Sequence, residues 1–267
     1  MVVHARPKVT VVLLTYNHEK WIAQAIESAL GQKTNFPVEI ILLEDFSSDD
    51  TRRIVVEYGH RFPERIELRL SETNRYDRGD WLRALQDAKG TYIATLDGDD
   101  CWTSSEKLQL QADFLDEHPE YSMCFHDATS VHVDVDGVDG PYVPAEQKPI
   151  TLLPDLLEHN FIPTCGAMIS KQAITPMPPW MLDVHWDDWG LYMAAAQRGP
   201  IGYIKETMGI YRIHLGGVWS RLDRKGQIEG HIRFYEQMNA NLKFQHADFF
   251  NRKLDQLRNE LLQLPRQ

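Results

Sequence analysis

The sequence has no apolar run close to the roughly 20 residues that a helix needs to cross a bilayer, and its N-terminus has no apolar signal-peptide core. Basic residues are also few, because 28 Lys and Arg stand against 39 Asp and Glu, which gives a net charge of −11. Nucleic-acid binding requires basic surface, so this balance argues against such a partner. We therefore expect a soluble, cytoplasmic protein that binds no nucleic acid.

Several common site signatures are missing as well. The three cysteines, Cys101, Cys124 and Cys165, are odd in number and lack the spacing of a zinc site, so we expect reduced, buried thiols. The sequence contains no Gly-x-Gly-x-x-Gly and no Gly-Lys-Ser/Thr, which argues against a dinucleotide enzyme and a P-loop ATPase. Internal repeats and low-complexity segments are not evident.

What the first hundred residues do contain is an alternation of short β-branched runs with amphipathic stretches. Apolar runs bounded by polar residues indicate buried strands, whereas apolar residues at helical spacing indicate helices. The predicted strands are residues 9–14, 38–43, 66–70 and 91–96, and the predicted helices are residues 19–30, 49–61 and 80–88. This order predicts an α/β fold with a mostly parallel sheet covered by helices.

The second half is more irregular. We predict short strands at 121–125, 129–135, 166–170, 201–204 and 208–213, a helix at 187–198, and a mobile insertion at 141–150. After residue 221 two amphipathic helical stripes follow, and we expect them to pack back on the rest of the chain. A homodimer contact or a peripheral contact with the inner face of the cell membrane through these helices is the alternative.

The densest cluster of charge follows the fourth predicted strand, where Asp97, Asp99 and Asp100 occupy three of four positions. Ligands of open α/β sheets bind where such strands end. Three neighbouring carboxylates repel one another, so we expect the fold to supply a positive charge. Mg²⁺ and Mn²⁺ prefer carboxylate oxygens and bridge to phosphates, which makes a divalent cation the expected partner.

Together these segments resemble the family 2 glycosyltransferases, inverting enzymes with the GT-A (nucleotide-diphospho-sugar transferase) fold. The resemblance covers about residues 8–220, so we expect a catalytic domain at 1–220 and a C-terminal amphipathic helical extension at 221–267. The segments that carry it are Leu14-Thr15-Tyr16-Asn17, Glu44-Asp45-Phe46-Ser47-Ser48-Asp49, Ala88-Lys89-Gly90-Thr91-Tyr92-Ile93, Leu96-Asp97-Gly98-Asp99-Asp100, Trp186-Asp187-Asp188-Trp189 and Tyr211-Arg212-Ile213-His214 with Gly216-Gly217.

The resemblance implies a role for each carboxylate of the acidic motif, by which we mean Asp97, Asp99 and Asp100. Asp99 is the expected metal ligand, with Asp97 nearer the ribose of the nucleotide and Asp100 in a supporting role. His214 is the best candidate for an additional metal or diphosphate contact. A cation at this position would act as a Lewis acid on the departing diphosphate.

The resemblance also places the general base and the sugar contacts. Asp188 stands where the family carries its base, and Asp187 is the second candidate and a potential acceptor contact. The alternative without a catalytic role is that both carboxylates only stabilise the start of a helix. Aromatic rings are the expected contacts for sugar or acceptor, and the candidates are Trp102, Trp186 and Trp219.

The nucleotide is expected at the ends of the first two strands. Tyr16 would stack on the base, Thr15 would line the pocket, and Asp45 would accept the N3–H of uracil or thymine. Glu44 stands where the family more often has Asp, and its expected contact is the ribose. Arg83, on the helix before the acidic motif, is a candidate contact for the diphosphate.

The function implied is metal-dependent transfer of a sugar from a nucleoside diphosphate sugar, favouring UDP or dTDP, to an acceptor hydroxyl. The expected acceptor is a glycan or lipid-linked glycan, since the motifs resemble bacterial members that build cell-surface polysaccharide. Two alternatives stay open: a sugar-nucleotide pyrophosphorylase-like enzyme, and a binding or scaffold module that has lost catalysis. The sequence identifies neither the sugar nor the acceptor.

Overall fold

The structure is a computed structural model that describes residues 6–74 and 78–264. The outer ends of the two expected domains, residues 1–5 and 265–267, lie outside the described residues, as do residues 75–77 of the polar segment before the third helix.

The first half of the chain follows the predicted alternation. In α1, Ile22, Ala25, Ile26 and Ala29 are buried, which is the helical spacing that predicts one apolar face. The elements are β1 (Val9–Thr15), α1 (Ile22–Leu30), β2 (Val38–Glu44), α2 (Thr51–Arg61), β3 (Ile66–Leu70), α3 (Arg78–Asp87) and β4 (Tyr92–Asp97).

The second half adds shorter elements and two long strands. Turns of 3₁₀ helix occur at Thr164–Gly166, Lys171–Ile174 and Pro179–Leu182. The other elements are β5 (Cys101–Trp102), α4 (Lys107–Glu117), β6 (Met123–Val133), β7 (Gly140–Pro141), β8 (Ile150–Thr151), α5 (Leu153–Leu156), β9 (Ala167–Ser170), α6 (Asp187–Ala196), β10 (Ile201–His214), α7 (Arg224–Asn241) and α8 (Ala247–Gln263).

Three details differ from the sequence prediction. The strands expected at 121–125 and 129–135 form one strand, β6, and those expected at 201–204 and 208–213 form one strand, β10. β10 stays continuous because it absorbs register shifts against β6 between Ile204 and Gly209. The 141–150 segment is no separate insertion, because β7 pairs with β6 and β8 pairs with β10 at its two ends.

The strands from β1 to β10 belong to one mixed sheet. Its order is β3-β2-β1-β4-β9-β6-β10-β5, with β7 and β8 attached to β6 and β10. The β3, β2, β1 and β4 strands run parallel, whereas β9 lies antiparallel between β4 and β6. The parallel part is the one predicted from the alternation of strands and helices.

The register of the parallel strands brings the predicted motifs to one edge of the sheet. Thr15 pairs with Glu44, and Leu14 pairs with Asp97, so β1, β2 and β4 end at the same level. The loops that begin at residues 16, 45 and 98 therefore open side by side, which is where ligands bind in sheets of this kind.

The last strand completes this edge. β10 pairs antiparallel with β5, so that Ile210 lies opposite Cys101 and Gly209 opposite Trp102. This pairing carries the end of β10 past the acidic motif, which immediately precedes β5. Residues 211–214 thus arrive beside Asp99 and Asp100, although they are more than 100 positions away in the chain.

The C-terminal helices share a hydrophobic cluster with the preceding part of the chain. Phe234 and Tyr235 of α7 and Phe250 of α8 are buried together with Trp189 and Leu191 of α6. The apolar faces predicted for these two helices therefore pack against the rest of the chain. No helix among the described residues is long and apolar enough to span a membrane.

Candidate active site

Two imidazoles and one carboxylate meet at the carboxyl end of the parallel strands. His214 Nε2 lies 3.0 Å from Asp99 Oδ2, and His18 Nε2 lies 3.5 Å from the same oxygen. One potential ligand atom from each of the three residues falls within 4.8 Å of the others. The structure thus brings Asp99 and His214 together, and adds His18, which the sequence analysis did not select.

The loop between β1 and α1 holds His18 in this position. The backbone N–H of His18 donates to Thr51 Oγ1 at 2.8 Å, and its Nδ1 lies 3.2 Å from Thr15 Oγ1. Trp21, one helical turn further, packs against the ring of His214 with 4.4 Å between the ring centroids. Both imidazoles are therefore oriented by neighbours before any ligand binds.

The loops after β1 and β2 are joined by hydrogen bonds between them. Asn17 N–H donates to Ser47 Oγ at 3.0 Å, and Ser48 N–H donates to Asn17 Oδ1 at 2.8 Å. Asp50 N–H donates to Glu19 Oε2 at 2.9 Å. These bonds fix the two loops as one unit, which includes the predicted nucleotide contacts.

Among those contacts, Tyr16 and Asp45 are partly buried at adjacent strand ends. The backbone N–H of Asp45 donates to the carbonyl of Thr15 at 3.0 Å. Phe46 follows with a φ of 59°, a left-handed conformation that is unusual for an aromatic residue. Such backbone geometry is concentrated at ligand sites in proteins, and here it turns the chain sharply after Asp45.

Arg212 ties the acidic motif to the end of β10. Its backbone N–H donates to Asp100 Oδ1 at 2.8 Å, and its guanidinium donates to the carbonyl of Asp99 and to Gln24 Oε1, the latter at 2.6 Å. Asp100 itself is only 1% exposed. The Asp100 carboxylate therefore serves to join two strands, and the Arg212 guanidinium fixes the backbone of Asp99.

The carboxylates of the acidic motif influence one another. Burial raises the pKa of Asp97 well above its usual value, and the charges of Asp99, Asp188 and Asp187 raise it further. Burial also opposes ionisation of Asp99, but the imidazoles of His18 and His214 outweigh this effect, so that its pKa is lowered. Asp97 thus interacts electrostatically both with Asp99, which lies beside the two imidazoles, and with Asp188 at the start of α6.

Asp188 lies in the first turn of α6, where the helix dipole favours a carboxylate. Asn160 Nδ2 donates to Asp188 Oδ2 at 2.9 Å, and Asp188 N–H donates to Asp187 Oδ1 at 3.2 Å. Burial raises the pKa of Asp188 to about 7, with the neighbouring Asp187 adding to the effect. A carboxylate with this pKa has the basicity of a general base that works near neutral pH.

Two residues that were predicted to contact the ligand are buried and bind other groups of the protein instead. Glu44 is 1% exposed, and its carboxylate accepts the backbone N–H of Ser47 and pairs with the guanidinium of Arg52. Trp102 is 5% exposed, its indole N–H donates to the carbonyl of Cys165 at 2.8 Å, and Lys107 Nζ lies 4.0 Å from its ring centroid. We therefore leave Glu44 out as a ribose contact and Trp102 out as a sugar contact.

Arg83 is exposed on α3 and pairs with Asp80, with 3.4 Å between Nη2 and Oδ1. This contact gives Arg83 no link to the acidic motif. Trp186 and Trp219 do form a pair, with ring centroids 5.3 Å apart, next to the start of α6. Trp219 remains 40% exposed, so its ring is available to a ligand beside Asp187 and Asp188.

Comparison with known proteins agrees with the geometry. A family model described as Glycosyl transferase family 2 matches residues 10–174. An uncharacterized protein of Mycobacterium tuberculosis is 34% identical over 211 residues, which are 79% of this chain and 60% of that protein. The poly(ribitol-phosphate) beta-N-acetylglucosaminyltransferase TarS of Staphylococcus aureus is 32% identical over 168 residues, covering 59% of this chain and 27% of TarS. The chain thus spans about 60% of the length of the mycobacterial relative.

Solved structures with the same architecture match more of this chain than the family model does. Residues 1–349 of S. aureus TarS in complex with UDP superpose with a TM-score of 0.63 at 20% identity, over 97% of this chain and 73% of that chain. The mannosyltransferase PcManGT from Pyrobaculum calidifontis in complex with GDP-Man and Mn²⁺ has a TM-score of 0.63 at 14% identity, over 96% and 74%. These likenesses show the GT-A fold, and the match over residues 10–174 shows that the chain belongs to glycosyl transferase family 2.

Proposed function

We propose that this protein is an inverting glycosyltransferase that moves a sugar from a nucleoside diphosphate sugar to an acceptor hydroxyl. The observation that carries the proposal is the coupling of two groups within one site: the Asp99 cluster with its two imidazoles, and Asp188, linked electrostatically through Asp97. Transfer with inversion needs charge stabilisation on one face of the sugar and a base on the other.

The donor end is assigned from the strand-end loops. Tyr16 and Asp45 lie side by side where β1 and β2 end, and we propose that they hold the base of a UDP- or dTDP-type donor. TarS has been solved with UDP and with UDP-GlcNAc, whereas PcManGT has been solved with GDP-Man, so relatives of this fold bind different nucleotides. Asp45 is the residue expected to favour a pyrimidine.

The donor atoms around Asp99 fit a divalent cation of the transition series. Carboxylate oxygens suit Mn²⁺ and imidazole nitrogens suit transition metals, so one carboxylate and two imidazoles within 4.8 Å of one another fit a divalent ion such as Mn²⁺. We propose that Asp99, His214 and His18 hold this ion, which, when bound, would offset the negative charge of the departing diphosphate. Arg212 contributes by fixing the Asp99 backbone, and Asp100 by holding the end of β10 in place.

The acceptor end is assigned to the start of α6. We propose that the Asp188 carboxylate takes the proton of the attacking hydroxyl, with Asp187 as a neighbouring acceptor contact and the alternative base. The exposed ring of Trp219, paired with Trp186, offers an apolar surface for the acceptor sugar. A glycan or lipid-linked glycan of a bacterial surface polymer is the acceptor class that we propose.

Thermal-shift and donor-hydrolysis measurements test the proposal together. We expect UDP with Mn²⁺ to stabilise the protein, EDTA to remove that effect, and one donor from a panel of nucleotide sugars to be hydrolysed slowly. The Asp188→Asn variant should keep the stabilisation and lose transfer, whereas Asp183→Asn, an exposed carboxylate on the preceding turn, should keep both. Normal turnover by Asp188→Asn would show that the base is wrongly assigned.

The same data separate the two alternatives. A scaffold module would be stabilised by nucleotide but would hydrolyse no donor in the panel. A pyrophosphorylase-like enzyme would release a nucleoside triphosphate from a sugar nucleotide and pyrophosphate. Membership of family 2 argues against the second alternative.

A further inference from the structure

We propose that Asn160 is a positioning residue for Asp188, and that the two C-terminal helices hold Asn160 in place through Glu158. The inference rests on the proposed function, in which Asp188 is the base. It gives α7 and α8 a role in the reaction that needs no contact between these helices and the substrate.

The side-chain amide of Asn160 is fixed at both ends. Its Oδ1 accepts the backbone N–H of Ile162 at 3.1 Å, so the opposite end is the NH₂ group, which donates to Asp188 Oδ2 at 2.9 Å. A rotation of the amide would break both bonds. The amide therefore selects one orientation of the Asp188 carboxylate, which is how positioning groups keep a base within reach of its proton.

The segment that carries Asn160 has no regular secondary structure and depends on neighbours for its position. The Tyr235 hydroxyl of α7 donates to the carbonyl of Glu158 at 2.8 Å, and Lys253 of α8 pairs with the Glu158 carboxylate. On the other side of the segment, the Trp189 indole N–H of α6 donates to the carbonyl of Leu156 at 2.8 Å. The two C-terminal helices and the helix of the base thus hold residues 156–160, which run from the last residue of α5 into this segment.

A second contact joins α7 directly to the helix of the base. The ring of Trp189, the residue after Asp188, stacks on Phe234 with 4.4 Å between centroids and 21° between planes. The ring of Tyr235 meets Trp189 edge-on at 5.7 Å. Asp188 is therefore supported from two directions, through its helix and through Asn160, and α7 takes part in both.

The charges around Asp188 make the Asn160 amide important. Asp187 on α6 opposes its ionisation, the charge of Asp188 in turn raises the pKa of Asp97 at the end of β4, and the hydroxyls of Tyr142, Tyr192 and Tyr211 lie within electrostatic range. The donors that favour the ionised form are the amide of Asn160 and the backbone N–H groups of Asp188 and Trp189. Without the Asn160 amide, the carboxylate would depend on these backbone donors for its stabilisation.

The test compares Asn160→Ala with Tyr235→Phe in the full-length protein. For Asn160→Ala we expect kcat to fall about 10- to 100-fold, because the base is no longer held in its reactive orientation. The acid limb of the pH–rate profile should move about one pH unit to the alkaline side, since a donor to the ionised form is lost. The KM for the donor should stay within about twofold, because the nucleotide contacts lie elsewhere.

Tyr235→Phe keeps the ring in the core and removes only the bond to Glu158, so we expect a smaller fall in kcat, about 3- to 10-fold, again without a change in donor KM. Tyr58→Phe is the matched control, since it removes an exposed hydroxyl bond between α2 and Glu27 of α1, and it should leave kcat unchanged. Asn160→Gln should recover part of the activity, because it restores a side-chain amide.

The outcomes distinguish a failure of the Asn160 inference from a failure of the Asp188 assignment. If Asn160→Ala fails to fold, Tyr235→Phe, which keeps its ring in the core, tests the same role. An unchanged kcat in Tyr235→Phe, or a loss of activity through donor KM alone, would overturn the positioning role. If Asp188→Asn is inactive while Asn160→Ala turns over normally, only this inference fails. If both variants turn over normally, the proposed base itself is wrong.

Discussion

The structure places His18 beside Asp99, which the sequence analysis did not predict. Replacing His18 therefore gives the sharpest test of the proposed cation site. The hydroxyl of Thr15 lies 3.2 Å from His18 Nδ1 and can accept its N–H, which leaves the lone pair of Nε2 facing Asp99. Imidazoles that bind metals are commonly held by such a second bond to an oxygen. We therefore expect His18→Ala to weaken Mn²⁺ binding while leaving the fold intact.

The expected magnitude follows from the number of ligands. Loss of a residue that merely orients a ligand costs about 10- to 100-fold in metal affinity, so loss of the His18 imidazole itself should cost about 100-fold or more. At Mn²⁺ equal to 100 times the wild-type Kd, binding stabilises the fold by about 2.7 kcal/mol. A 100-fold weaker site at the same concentration gains only about 0.4 kcal/mol.

These free energies correspond to a measurable difference in melting temperature. For a chain of this size about 1 kcal/mol moves Tm by roughly 2–4 °C, so Mn²⁺ should raise the wild-type Tm by about 5–10 °C and that of His18→Ala by about 1 °C. Thr15→Val should give an intermediate shift. The control is His60→Gln, which removes an exposed imidazole on α2. An equal Mn²⁺ response in His18→Ala and wild type would refute a role for His18 in the site.

Three further measurements follow from the structure. Asp99→Asn should abolish the Mn²⁺-dependent rise in Tm with UDP, whereas Asp100→Asn, which keeps an oxygen for the Arg212 N–H, should retain most of it in the same titration. The rate of transfer should rise with pH through about 7, because Asp188 acts ionised and its pKa is raised to about 7; a flat profile between about pH 5.5 and 8.5 would contradict this. Phe250→Ala should destabilise the whole chain by about 3–5 kcal/mol in a single unfolding transition, because Phe250 is fully buried in the shared core.

The first four strands could be predicted because their sequences carry local signals. Each is a short β-branched run closed by polar residues, and the structure places β1 to β4 within one or two residues of the expected bounds. Parallel order then brings the ends of β1, β2 and β4 together without further information. The proximity of Tyr16, Asp45 and Asp99 to one edge is thus a consequence of pattern and topology.

The long strands of the second half carry no such signal. The residues at 205–207, Lys-Glu-Thr, look like the end of a strand, and only the pairing of β10 with β6 keeps the chain extended through them. Likewise the polar composition of residues 141–150 suggests a loop, although its ends pair with the sheet. Tertiary contacts override local propensity in both places.

Individual side chains were harder to assign than strand ends. Glu44 and Asp45 are adjacent carboxylates at one strand end, but Glu44 is the last residue of β2 and is 1% exposed, whereas Asp45 begins the following loop and is partly buried. Arg52 on the next helix pairs with Glu44 inside the protein. Asn160 gave no signal at all, because an Asn in an irregular segment is ordinary, and its relation to Asp188 exists only once residues 28 positions apart are folded together.

The distribution of charge supports the cation of the proposed mechanism. The carboxylates of Asp97, Asp99, Asp187 and Asp188 influence one another electrostatically, and in the proposed function this site receives a diphosphate, which is itself an anion. Two guanidinium groups near this edge of the sheet already have partners, since Arg212 binds Gln24 and the Asp99 carbonyl, and Arg52 pairs with Glu44. Placing a diphosphate beside ionised carboxylates costs several kcal/mol. We therefore expect the nucleotide alone to bind weakly and the cation and nucleotide to bind cooperatively, each raising the affinity for the other by the same factor. Independent binding of UDP and Mn²⁺ in calorimetric titrations would contradict this electrostatic account.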